Sequence, residues 1–109
     1  MAWNNNRDDD EDFKKWASAV KVRDNYTCQI CDARGVQFES HHKNSWDRHP
    51  DERYDLDNGV CLCLRCHQRF HETFGYGNNT KFQFQQYEEI AKTFRKLLES
   101  DNPPEFLSH

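Results

Sequence analysis

The chain has 109 residues, which is enough for one small domain, and 35% of them are hydrophobic. An unaided core of this size and composition is marginally stable, so a metal ion that stabilises the fold is physically plausible. No apolar run reaches the roughly 18 residues of a transmembrane helix, and the polar, acidic residues 1–12 lack the pattern of a secretory signal peptide. We therefore expect an intracellular protein without a membrane partner.

The negative charge is concentrated at the start of the chain. Residues 1–12 contain five acidic residues and Arg7, a local charge of −4, whereas the other 97 residues contain 14 basic and 14 acidic groups. We predict a disordered acidic arm at 1–11, which is either a solvating tail or a segment that competes for a basic face of the domain. A net charge of −4 also disfavours strong phosphate binding.

The hydrophobic pattern predicts one small, metal-stabilised α+β domain at 12–100 and a tail at 101–109. The expected elements are a helix at 12–23, strands at 36–42 and 60–63, a short helix at 64–73 and a helix at about 80–100. Thr80 and Gln83 form a capping box at the start of the last helix. Its apolar stripe predicts core packing and consists of Phe82, Tyr87, Ile90, Ala91, Phe94, Leu97 and Leu98.

Two CxxC pairs, Cys28/Cys31 and Cys63/Cys66, have the spacing of a tetrahedral Cys₄ zinc site. The alternative, a pair of redox dithiols, would require a thioredoxin-like βαβ unit, which the pattern does not predict. Four thiolates leave no open position for substrate, so this zinc would be structural and would contribute much of the folding free energy. The fifth cysteine, Cys61, is interpreted as a small buried apolar side chain.

Four histidines lie among these cysteines. His41 and His42 are neighbours on a strand and should point to opposite faces, so one can bind a metal while the other accepts a proton. His67 and His71 are four residues apart on a helix and can converge on one ion. Asn58 is either a turn residue before Gly59 or a side chain that hydrogen-bonds across the loop.

The pattern resembles the zinc-containing HNH endonucleases, of which small versions are common in phages. The segments that match are RDNYTCQIC (23–31), HH (41–42), LDNGV (56–60) and LCLRCH (62–67), and the resemblance covers about 13–72. The segment FGYGNN (74–79) is also similar to extensions of phage homing-type members. The resemblance implies a ββα-metal site at about 36–73, on a treble-clef zinc finger with flanking helices.

The resemblance also implies roles for individual residues. His41 and His67 would bind a catalytic divalent ion, Mg²⁺ or Mn²⁺ with Ni²⁺ or Zn²⁺ as alternatives. His42 would be the general base, and Asn58 would orient it. His71 would be a third metal ligand, or would instead contact phosphate or support a metal ligand. The implied activity is hydrolysis of phosphodiester bonds in double-stranded DNA, by nicking or double-strand cutting, with 5′-phosphate and 3′-hydroxyl products.

Basic residues close in sequence to this site are candidate phosphate contacts, and they are Lys43, Arg48, Arg53, Arg65 and Arg69. The alternative to an enzyme is a non-catalytic zinc-finger module that binds DNA or protein, for example a phage partner in packaging or repair. The acidic charge favours that alternative, whereas the complete histidine and asparagine set favours the enzyme. Both a monomer and a dimer fit the sequence.

Overall fold

A computed structural model describes residues 9–98 of the chain. The helices and strands are α1 (Glu11–Arg23), β1 (Phe38–His42), β2 (Gly59–Cys63), α2 (Leu64–Phe74) and α3 (Lys81–Leu98). This order confirms the predicted one, although β1 starts two residues later than expected. Residues 1–8 of the predicted arm and the predicted tail at 101–109 lie outside the described residues. Within 9–98, no helix has the length and apolar character needed to cross a membrane.

Helix α1 is capped by one aspartate and ended by another. The Asp10 carboxylate accepts a hydrogen bond from the Phe13 amide at 3.1 Å, which satisfies a free N–H of the first turn. At the other end, the Asp24 carboxylate accepts the Cys61 amide at 2.9 Å. The Arg23 guanidinium donates to the carbonyl of Gly59 at 2.7 Å. The end of α1 is therefore hydrogen-bonded directly to β2.

The two strands form an antiparallel sheet that separates two hydrophobic clusters. Because successive strand residues alternate between faces, Leu62 faces α2 and α3, where it packs in a cluster with Phe70 and Phe84. Cys61 faces the other way and packs against Trp16 and Val20 of α1. A β-carbon at Gly59 would lie 2.5 Å from Val20 Cγ2, so glycine permits the close approach of α1.

The start of α3 confirms the predicted capping box. The Gln83 amide donates to Thr80 Oγ1 at 3.2 Å, and the Gln83 side chain accepts the Thr80 amide at 3.1 Å. These reciprocal bonds fix the first turn of α3 next to the loop that follows α2.

The predicted packing of the α3 stripe is wrong for most of its members. Phe84, which the stripe omitted, is 2% exposed, and only Tyr87 and Ala91 of the predicted set pack beside it. The remaining members are at least one-third exposed and are Phe82, Ile90, Phe94, Leu97 and Leu98. A helical stripe shows which residues share a face, but here only the first half of α3 reaches the domain core.

Candidate functional site

The four cysteines of the CxxC pairs form one cluster. All four sulfur atoms lie within 4.8 Å of one another, and Cys31 Sγ and Cys63 Sγ are 3.7 Å apart. A tetrahedral zinc with Zn–S bonds of about 2.3 Å requires sulfur atoms about 3.8 Å apart. The five cysteines are all free thiols, so no disulfide competes for these ligands. The residues present therefore fit a structural zinc ion.

Local backbone geometry creates each half of this cluster. The first pair lies on a turn that the Cys28 amide closes by donating to the Ala33 carbonyl at 3.0 Å. Cys63 is the last residue of β2 and caps α2, where its sulfur accepts the Cys66 amide at 3.4 Å. Hydrogen bonds from the Cys66 thiol and from backbone amides lower the pKa of Cys28 to about 4, which favours the metal-binding thiolate.

Cys61 is separate from the zinc cluster, in agreement with its interpretation as a buried apolar residue. It is 0% exposed and packs against Trp16 on the opposite side of the sheet. Burial, followed by the negative charge of Asp24, raises the pKa of the Cys61 thiol to about 11. Its sulfur is thus a neutral thiol at physiological pH.

A second cluster brings together His41, His67 and His71. One nitrogen of each ring lies within 4.8 Å of the others, and the Nε2 atoms of His67 and His71 are 3.1 Å apart. His41 is 3% exposed, and within the described part of the chain its Nε2 has no hydrogen-bond partner. A buried polar nitrogen without a partner is costly unless it binds an ion. This donor set therefore fits a divalent metal.

The loop after α2 determines which nitrogen of His71 faces the cluster. Its Nδ1 lies 2.8 Å from the Gly75 carbonyl, which can only accept, so Nδ1 holds the proton and Nε2 holds the lone pair. The Asn79 side-chain amide donates to the same carbonyl at 3.2 Å. Asn79 is 3% exposed, and its backbone carbonyl accepts a hydrogen bond from the Ser45 amide at 2.9 Å. Asn79 thus holds the carbonyl that orients His71.

Burial lowers the pKa of His41 well below its ordinary value, and the neighbouring His67 and His71 lower it further. His41 is therefore neutral at physiological pH. A neutral imidazole is the form that binds metal ions.

His42 lies on the other face of the sheet, as the strand alternation predicted. Its Nε2 is 2.9 Å from the Arg53 carbonyl, so Nε2 donates the hydrogen bond and Nδ1 holds the lone pair of the neutral ring. The ring stacks on Trp16 with a centroid distance of 3.9 Å and an interplanar angle of 13°. Trp46 meets it edge-on at 5.5 Å. These contacts fix both the tautomer and the orientation of His42.

Asn58 hydrogen-bonds across the loop and is more than a turn residue. Its side chain is fully buried and donates to the carbonyls of Asn44 at 3.0 Å and Glu52 at 3.2 Å. Its Oδ1 accepts the Asn44 amide at 2.9 Å. Because Glu52 precedes Arg53, these bonds immobilise the backbone whose carbonyl holds His42.

Replacing Asn58 with alanine is expected to lower the free energy of unfolding by about 3 kcal/mol, because buried backbone groups lose their partners. Urea unfolding monitored by circular dichroism measures this change. Asp51→Ala, at an exposed position of the same loop, is the control and should change stability by less than about 0.5 kcal/mol. An equal free energy of unfolding for Asn58→Ala and wild type would show that these hydrogen bonds do not stabilise the fold.

His42 and the three-histidine cluster line one cleft of about 680 Å³. Its walls come from Phe13 of α1, from β1 and α2, and from the loops after β1 and α2. Lys43, Arg65 and Arg69 are not among the lining residues of this cleft. Arg65 and Arg69 are exposed on α2, and the Lys43 ammonium lies 5.8 Å from the Phe84 ring centroid. Phosphate binding by these three side chains stays a prediction.

Several residues around the site did not emerge from sequence patterns. Trp16 lies in the predicted helix at 12–23, and the sequence does not indicate that its ring stacks on His42. Trp46 and Asn79 lie in loops without periodic patterns, so only the three-dimensional structure shows their contacts with the site. The family-like segment at 74–79 was the one sequence signal for Asn79.

Comparison with known proteins identifies the central part of the chain. The HNH endonuclease family model matches residues 28–73, a segment that contains both cysteine pairs, β1, β2 and nearly all of α2. Searches of curated proteins and of solved structures gave no match. The matched segment contains every residue of the two ligand clusters. Residues 28–73 are therefore similar to HNH endonucleases.

Proposed function

We propose that the protein is a metal-dependent DNA endonuclease that hydrolyses phosphodiester bonds in duplex DNA. The observation that supports this best is a single cleft that is lined both by the three converging imidazoles and by His42. The family match of residues 28–73 points to nuclease activity in general. The roles of the individual residues are our proposal and rest on the geometry.

His42 is proposed as the general base. Since Nε2 donates to the Arg53 carbonyl, Nδ1 is the nitrogen that accepts a proton from the attacking water. The same carbonyl stabilises the positive charge that His42 acquires. Asn58 acts indirectly by holding the backbone next to Arg53. Asn58 and the Arg53 carbonyl thereby help to position His42 as the proton acceptor, together with the rings of Trp16 and Trp46.

His41, His67 and His71 are proposed to hold the divalent ion through the nitrogens that converge in the cleft. When bound, the ion supplies Lewis-acid stabilisation of the negative charge on the phosphate and the leaving oxygen. The Gly75 carbonyl keeps the lone pair of His71 directed at that position. We propose His71 as a third ligand on this basis, rather than as a phosphate contact.

Cys28, Cys31, Cys63 and Cys66 are proposed to hold a structural zinc ion in a treble-clef arrangement. This role requires reduced thiols and therefore a reducing, intracellular compartment. The zinc links the turn before β1 to the end of β2 and the start of α2. It thereby keeps His67, which follows Cys66, next to His41.

Supercoiled plasmid incubated with the protein should become nicked or linear in Mg²⁺ or Mn²⁺, and Ni²⁺ and Zn²⁺ are tested in parallel. EDTA should abolish the reaction. Gel electrophoresis of the products over time gives the rate. DNA binding without cleavage in all four metals would contradict the proposal and favour a non-catalytic zinc-finger module.

A further inference from the structure

Tyr76 is a large aromatic side chain that the fold leaves uncovered beside the histidine cluster. It is 76% exposed, the largest exposed fraction among the large hydrophobic side chains of residues 9–98. It also lines the cleft that contains His67 and His71. An exposed aromatic ring contributes little to the stability of the fold. In a candidate active site, such a ring commonly contacts substrate.

The two faces of the Tyr76 ring have different surroundings. One face lies against His71, with a centroid distance of 4.8 Å and an interplanar angle of 14°. The loop around Tyr76 contains Gly75 and Gly77, and at neither glycine would a β-carbon meet another atom within 4 Å. Because the ring is 76% exposed and one of its faces lies against His71, its second face borders open space.

The residues that line the cleft favour an uncharged contact with nucleic acid. Within the described residues, the cleft lining includes Glu39 and Asp47 but no lysine or arginine. Residues 13–109 carry 14 basic and 14 acidic groups, so their net charge adds no general attraction for phosphate. Stacking of one base on an aromatic ring raises affinity by about five- to a hundredfold and does not depend on charge.

We propose that the exposed face of Tyr76 is a stacking site for an unpaired nucleobase next to the cleaved phosphate. This inference rests on the proposed nuclease function and specifies its substrate. A base inside an intact duplex has both faces covered by its neighbours, whereas a bulged, mismatched or single-stranded base has a face to offer. The enzyme thus prefers DNA with local single-stranded character.

Cleavage is compared on two labelled duplexes of the same sequence, one perfect and one with a single-base bulge. Wild-type protein should show a KM at least fivefold lower for the bulged duplex. Tyr76→Leu keeps an apolar cover over His71 but has no aromatic face, and it should lose this preference while kcat is retained. Tyr76→Phe should behave like wild type. Ni²⁺ titration should give the same affinity in all three proteins, which shows that the histidine cluster is intact.

Binding of the same duplexes is also measured by fluorescence anisotropy in a His42→Ala background, which reports stacking without cleavage. Loss of the bulge preference in Tyr76→Leu supports the inference, and an unchanged preference overturns it. Proteins that keep Tyr76 should distinguish the two duplexes. An equal KM and an equal binding affinity for both duplexes would also overturn the inference. Absence of cleavage with every metal would count against the proposed function alone, because the anisotropy comparison still decides about Tyr76.

Discussion

His42→Ala protein is expected to lose about 100- to 10,000-fold of the plasmid-nicking rate, the range typical for removal of a general base. The lone pair on Nδ1 is the only group we assign to accept the proton of the attacking water. No ligand of either metal site is altered, so the zinc content and the affinity for Mn²⁺ should stay at the wild-type level. Rates come from time courses of supercoiled plasmid, and metal content from elemental analysis.

The matched control is His49→Ala, which removes an imidazole from the same loop region but outside the cleft lining. It should nick plasmid at the wild-type rate. Circular dichroism of both variants checks that they are folded, because His42 also packs on Trp16. If folded His42→Ala protein cut as fast as wild type, His42 would not be the base.

Loss of one zinc ligand is expected to unfold the protein. In Cys63→Ser, the thiolate that connects β2, α2 and the Cys28 turn is absent. Structural zinc sites contribute about 10–16 kcal/mol of binding free energy in small zinc domains, which exceeds the stability of a domain of this size. We expect zinc content below one ion per chain and no cooperative thermal transition by circular dichroism. A strong chelator should have the same effect on wild-type protein.

Cys61→Ala provides a matched control for Cys63→Ser. Both positions are buried on the same strand, but the Cys61 sulfur packs against Trp16 and is not in the cluster. This variant should keep one zinc per chain and a cooperative transition, with a loss of about 1 kcal/mol. Zinc loss in Cys61→Ala, or full zinc content and stability in Cys63→Ser, would show that the ligand assignment is wrong.

The parts of the molecule that sequence reasoning found are those with a short local rule. The spacing of the CxxC pairs, the alternation of His41 and His42, and the four-residue step from His67 to His71 each limit where atoms can lie. The structure brings the four cysteines together and His41 next to His67 and His71, and it places His42 on the opposite face of the sheet. Their chemical roles stay proposals until the variants are measured.

The features that sequence reasoning missed depend on contacts between distant segments. The apolar stripe of α3 correctly defined a helix, but periodicity contains no information about how far the core extends, and Ile90 and Leu98 are exposed. Similarly, the contact of Trp46 with His42 depends on the path of a polar loop without periodicity. Such contacts follow from the tertiary fold and not from a local rule.

The opposite orientation of His41 and His42 has a consequence for how the site can change. His41 is supported by Phe70 and Phe84, whereas His42 on the other face is supported by Trp16. The sheet lies between these two supports. A substitution in α1 can therefore change the packing around His42 without altering the rings that pack on His41, and a substitution in α3 can do the reverse. The packing around two adjacent histidines can thus be varied separately by selection or by design.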